Sequence, residues 1–156
     1  MFPAGSAVRF IARGDGALKL DGQAAETKSP HTGVHTAELK PAAGAHTIEF
    51  GGQTLKIFVG PAASAPEGMK AFRPHPPANQ CETCHAVRNG NWRFIHASLS
   101  NVCSACHAKE AFQAKHTHEM AVLADCQLCH NPHGSTADKH LKLSKDAACK
   151  QCHSLQ

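Results

Sequence analysis

Apolar and polar residues alternate in short runs over the first sixty positions: AVRFIA (Ala7–Ala12), ALKL (Ala17–Leu20), VHTAEL (Val34–Leu39), HTIEF (His46–Phe50) and LKIFV (Leu55–Val59). A period of two sends successive side chains to opposite faces, so each run predicts a strand with one inward face. Turn formers separate the runs: Gly14-Asp15-Gly16, Asp21-Gly22, Pro41 with Gly44, and Gly51-Gly52, the last spaced for a two-residue hairpin between HTIEF and QTLKIFV. The pattern predicts a small all-β domain over residues 1–60, an antiparallel sandwich or sheet of five or six strands. At that size it would be marginal alone, and its apolar face or an edge strand is expected to lean on something else. Arg13-Gly14-Asp15 reads as a turn.

Residues 61–80 hold Pro61, Pro66, Pro74, Pro76 and Pro77 and predict an extended linker rather than a helix or central strand. Beyond it the alternation stops and the chain repeats itself. Cys81, Cys103, Cys126 and Cys149, spaced by 22, 23 and 23 residues, open the pentapeptides CETCH, CSACH, CQLCH and CKQCH. Each copy has a histidine 6 to 9 residues upstream of its first cysteine: His75, His96, His118 and His140. Ala108–Ala114 and Glu119–Ala124 predict short helices; the remainder of 81–156 has little periodicity.

Composition sharpens the contrast between the halves. All 8 Cys lie after the linker, and the whole chain has only 7 Phe, 1 Trp and no Tyr, too few rings for an ordinary core of this length. Something other than side chains is expected to fill the second half. No apolar run is long enough to span a membrane, so no membrane span is expected. The formal charge of +4 is spread along the chain with no basic stripe, and no nucleic-acid partner is expected.

Paired cysteines can form disulfides, a redox dithiol or a zinc site. Four copies of one spacing suit neither of the first two, and a thioredoxin-like site needs a single pair. Zinc fits the spacing between the first two pairs, but a site of four thiolates has no use for a histidine directly after each second cysteine. His85, His107, His130 and His153 all occupy that position. CxxCH is the attachment signature of haem c: two thiols add to the vinyl groups as thioethers and the next residue becomes the proximal imidazole ligand. Cys81, Cys84, Cys103, Cys106, Cys126, Cys129, Cys149 and Cys152 are thereby all used, and four haems c are expected as cofactors. Their macrocycles supply the missing apolar volume, and their propionates and ferric irons together bring the net charge to about zero.

The sixth iron ligand separates electron carriage from substrate binding. Nine histidines remain after the proximal four: His31, His35, His46, His75, His96, His116, His118, His133 and His140, against only 3 Met. Bis-His ligation of every iron is therefore possible, giving low-spin, low-potential centres.

The stretch HTHEMAVLADCQLCHNPHGS, His116 to Ser135, resembles the doubled CxxCH pattern of bacterial multihaem cytochromes c, and the resemblance extends over residues 75–156. It implies a segment mostly of coil with short helices wrapped around stacked haems. It further implies that His118 is a distal ligand for the Cys126/Cys129 haem, and that His133, of Asn131-Pro132-His133-Gly134-Ser135, serves a neighbouring haem, most simply the Cys149/Cys152 one. By repeat position His75 and His96 would serve the Cys81/Cys84 and Cys103/Cys106 haems, with His116 and His140 able to displace these choices. His31, His35 and His46 are read as surface or hydrogen-bonding groups. The alternative comes from similarity to extracellular cytochromes that polymerise into conductive filaments, where one protomer's histidine completes a haem of the next; here His31 or His35 would do so.

The expected function is electron transfer along four haems, without enzymatic bond chemistry, toward redox partner proteins or extracellular acceptors, with a homo-polymer built by head-to-tail contacts. A discrete periplasmic carrier, or a small reductase with one open haem, is the alternative. Haem attachment to CxxCH takes place outside the bacterial cytoplasm, so an extracellular or periplasmic location is expected; MFPAGSAVRF lacks the features of a signal peptide and is read as a mature start.

Overall fold

A computed structural model of the chain describes residues 1–76, 80–89, 91–107 and 125–153. The chain divides into two compact units, Met1–Ala71 and Phe72–Gln156.

The first unit contains seven strands in two antiparallel sheets. One sheet has the order β1-β5-β4 and the other β3-β2-β6-β7. The strands are β1 (Val8–Arg13), β2 (Lys19–Leu20), β3 (Gln23–Ala24), β4 (Lys28–His31), β5 (Val34–Leu39), β6 (Gly44–Phe50) and β7 (Gln53–Val59). Alternate residues of both sheets meet in one core of Val8, Leu18, Leu39, Ile48, Ile57 and Val59, with Phe2, Phe10 and Phe50 packed against it. β6 and β7 form a hairpin in register Phe50↔Gln53, closed by Gly51 (φ 56°) and Gly52 (φ 77°). Both turn residues have positive φ, the geometry that matches strand twist in a two-residue hairpin and that glycine adopts without strain. Asp21-Gly22 closes the β2–β3 hairpin in the same manner. The Asp21 carboxylate then reaches β6, accepting from the Thr47 N–H at 2.8 Å and from His46 Nδ1 at 2.7 Å.

Phe2 pairs in parallel with Val59 on the outer strand of its sheet, covering one end of that edge. The proline-rich stretch after β7 is not uniformly extended. Ala62–Ser64 makes a single 3-10 turn after Pro61, and the Met1 ammonium donates to the Lys70 carbonyl at 2.7 Å.

In the second unit, β8 (Arg73–Pro74) pairs with β11 (Gly134–Ser135), and β9 (His85–Arg88) with β10 (Asn91–Phe94), both antiparallel. The described helices are short: α1 (Leu99–Ser104), α2 (Lys145–Lys150), and 3-10 turns at Cys81–Thr83, Cys126–Leu128 and Asp138–His140. Val102 is the one buried aliphatic side chain described here, so an apolar side-chain core of the first unit's kind is lacking among these residues. The helices expected over Ala108–Ala114 and Glu119–Ala124 lie outside the described residues.

Candidate haem-binding site

Each CxxCH motif sits on a short helical turn, and in the second and third motifs a side chain caps its start. Ser98 caps α1 by accepting from the Asn101 N–H at 3.2 Å, which places Cys103 in the last turn. Asp125 caps the Cys126–Leu128 turn through the Gln127 N–H at 3.1 Å. In three motifs the turn continues through the histidine: the backbone N–H groups of His107, His130 and His153 donate to the carbonyls of Cys103, Cys126 and Cys149 at 2.9, 2.9 and 3.0 Å. On a helical turn, residues i, i+3 and i+4 share one face, so two thiols and an imidazole are presented together. The first motif differs, because its turn ends at Cys84 and His85 opens β9.

That strand gives His85 a specific mount. It lies opposite Phe94 in the hairpin and stacks on Trp92, with ring centres 5.0 Å apart and planes at 20°, and on Phe94 at 5.4 Å and 24°. The only tryptophan of the chain thus packs on a motif histidine. His130 is oriented differently: its Nδ1 donates to the Lys139 carbonyl at 2.8 Å. A carbonyl can only accept, so Nδ1 carries the proton and Nε2 keeps its lone pair for a metal. Lys139 (φ 54°) and His140 (φ 55°) bend the chain back to make this contact, held by Asn131 N–H donating to His140 O at 2.8 Å and Lys142 N–H to Cys129 O at 2.8 Å.

Two of the candidate distal histidines, His75 and His133, meet at the β8–β11 ladder. His75 directly follows β8 and His133 directly precedes β11, and the His75 N–H donates to the His133 carbonyl at 3.4 Å. The His133 ring centre lies 6.3 Å from that of His85, and the His75 ring centre 5.9 Å from that of His107. His140 touches His75 edge-on at 5.2 Å, and its buried Nδ1 has no hydrogen-bond partner among the described residues. Burial, then the neighbouring imidazoles His140, His107 and His133, holds His75 below the ordinary histidine range; burial and His133 do the same for His85. Both therefore stay neutral near pH 7, the form in which imidazole ligates. Burial likewise pushes the Cys103 thiol up to about 11, helped by Cys126, to which it is hydrogen-bonded, and by Cys84. His96 is exposed on the segment after β10. His116 and His118 lie outside the described residues.

The first unit's histidines have local roles. His46 Nδ1 faces the Asp21 carboxylate and Nε2 the Ala42 carbonyl at 2.8 Å. Two acceptors require two N–H donors, so His46 is the imidazolium and has no lone pair to give a metal. His31 Nδ1 donates to the Thr32 carbonyl at 2.9 Å, while His35 contacts Ser29 Oγ at 3.4 Å and the Phe50 ring at 5.2 Å.

The donor set fits haem c. No disulfide joins the eight cysteines among the described residues, three motifs present thiols and imidazole on one face of a turn, His130 has its tautomer fixed, and a buried imidazole nitrogen lacks a partner among the described residues. Sequence reasoning missed the supports: Gly134, Ser135, the Lys139 carbonyl and the Arg73–Asp138 ion pair at 2.7 Å. The N-P-H-G-S tail was the available signal for the first two.

Comparison with known proteins agrees with this chemistry. A family model of the doubled CXXCH motif matches residues 118–156, covering the third and fourth motifs. The chain is 39% identical over 79 residues to the multiheme cytochrome MtrA of Shewanella baltica (strain OS185), an alignment covering 47% of this chain and 23% of that protein. The chain thus spans about a quarter of the length of this relative. No solved structure matches. These similarities support a multihaem c-type cytochrome, with haem c as the group its CxxCH motifs attach. No described helix is long and apolar enough to cross a membrane.

Proposed function

We propose that this chain is a tetrahaem c-type cytochrome whose four bis-His haems carry electrons and perform no bond chemistry. The observation that carries the reading is the recurrence of a CxxCH turn in four places, with imidazoles of other segments beside two of the motif histidines, His85 and His107. Haem c supplies the reversible one-electron couple when bound. The chain would supply the thioether tethers, imidazole ligands to the irons, and a second unit in which coil and short helices wrap the macrocycles in place of a side-chain core. His85, held by Trp92, and His130, held by Lys139 O, keep their orientation through a redox change, which limits reorganisation.

Intact-mass measurement with a pyridine haemochrome assay tests the count: four haem additions per chain are expected, with only low-spin ferric signals in electron paramagnetic resonance (EPR). Fewer additions, or a colourless zinc-containing chain, overturn the proposal, and a high-spin signal in the native protein would indicate an open, reductase-type haem.

In this reading the protein works in the periplasm or outside the cell, and the β unit serves docking or assembly, including a head-to-tail homo-polymer in which His31 or His35 reaches the next copy. Sedimentation velocity followed at the Soret band tests that part. Fast, heterogeneous material supports a polymer, and a single boundary of monomer size makes the protein a discrete carrier.

A further inference from the structure

The distal histidines that repeat position assigns are not the ones the fold places opposite the first two motifs. Two imidazoles on opposite sides of one iron, each bonded through a nitrogen at about 2 Å, would hold their ring centres roughly 6 Å apart. His85 and His133 stand at 6.3 Å, and His107 and His75 at 5.9 Å. His140 approaches His75 to 5.2 Å, closer than that arrangement requires, and this is a direct edge contact. We propose that the distal ligands cross between motifs: His133 completes the Cys81/Cys84 haem opposite His85, and His75 completes the Cys103/Cys106 haem opposite His107. This rests on the tetrahaem reading above and adds to it the wiring of the first two haems.

Several independent features hold the crossed pairs in place. The β8–β11 ladder joins the backbones on either side, in register Gly134↔Pro74 and Ser135↔Arg73. Asn131 Oδ1 accepts from the His133 N–H at 3.1 Å and fixes the turn that presents His133. Ser135, buried, donates through Oγ to the Leu141 carbonyl and accepts from the Ala137 N–H at 2.9 Å, anchoring β11 from behind. Arg73 pairs with Asp138 on the same loop. On the proximal side, Trp92 and Phe94 stack on His85. The ladder thereby makes the first two haems neighbours, since their distal ligands are consecutive partners of one hydrogen-bonded backbone.

The test is a ligand-loss cycle read by EPR. His133→Ala should turn one low-spin haem high-spin. In the Cys81→Ala/Cys84→Ala background, which lacks the first haem, His133→Ala should add no new high-spin signal, whereas in the Cys149→Ala/Cys152→Ala background it should add one. The reverse pattern overturns the proposal. His75→Ala is paired in the same way with the second motif. Should motif-deleted chains fail to mature, His133→Met in the full tetrahaem protein keeps six-coordination. In the reduced, diamagnetic state its methyl group should show NMR dipolar contacts to the haem tethered by Cys81 and Cys84; contacts to the Cys149/Cys152 haem overturn the assignment. Absence of haem in the native protein would instead defeat the tetrahaem reading itself, a separate result visible in the intact mass.

Discussion

A Cβ placed on Gly134 would sit 2.6 Å from the Arg73 carbonyl oxygen and as close to the Phe72 ring, at a backbone φ of +131° that side-chain-bearing residues rarely adopt. The β8–β11 ladder therefore requires glycine here. Gly134→Ala should destabilise the second unit by on the order of 1–3 kcal/mol, from strain and overpacking together. Because His75 and His133 flank the ladder, it should also convert part of the low-spin haem signal to high-spin. Chemical unfolding and EPR on the same sample check both. Unchanged spin states would mean that the ladder does not position these ligands.

Trp92→Ala removes the ring stacked on His85. The pairing is worth about 0.5–1.5 kcal/mol beyond buried area, so the unfolding midpoint should fall, and the exposed haem should titrate at a lower potential because water stabilises ferric iron. Trp92→Phe should restore most of both. Spectroelectrochemistry that finds all potentials unchanged in Trp92→Ala would remove Trp92 from the site.

Lys139 presents its carbonyl to His130 from a left-handed backbone. Lys139→Val is β-branched and disfavours that conformation, so the hydrogen bond should weaken and His130 become a poorer donor to iron. One potential should then rise, whereas Lys139→Gly, which accepts positive φ, should leave it in place. Equal shifts in the two variants would trace the effect to the lost lysine charge.

The Asp21–His46 pair gives the first unit a pH window. Hydrogen bonding to Asp21 raises His46 above its ordinary 6.5, so the stability it contributes is fully present below 6.5 and is lost as pH rises through the raised value. Hydrogen bonding to His46 and Thr47 lowers Asp21 below its ordinary 3.8, so its contribution is present above 3.8 and is lost as pH falls through the lowered value. Denaturation of the first unit should show both limbs, and Asp21→Asn should flatten them and bring the His46 NMR titration back toward 6.5. A His46 titration unmoved by Asp21→Asn would show that the pair does not form.

What could be read from the sequence was what local rules control. Gly51-Gly52 stands between two alternating runs, and the hairpin lies there because glycine alone takes both positive φ values cheaply. β4 was not legible: KSPH has no alternation, and its Pro30 is tolerated because β4 is the outer strand of its sheet. β3 and β8 span two residues each, too short for any period to register. The motif cysteines and histidines are covalent chemistry written as spacing, and so were visible at once. The approach of the His133 ring to His85 was not, because it depends on a two-residue ladder between distant segments.

Under the crossed pairing, order in the finished protein runs against order of synthesis. A chain emerging from its N-terminus exposes Cys81, Cys84 and His85 well before His133, so its first haem would be tethered early yet keep one face open until the third motif has followed. The haem of the first motif would be completed only after nearly fifty further residues of chain had followed its tethering motif, and the N-P-H-G-S tail would act as a latch that closes the site only once the third motif is present.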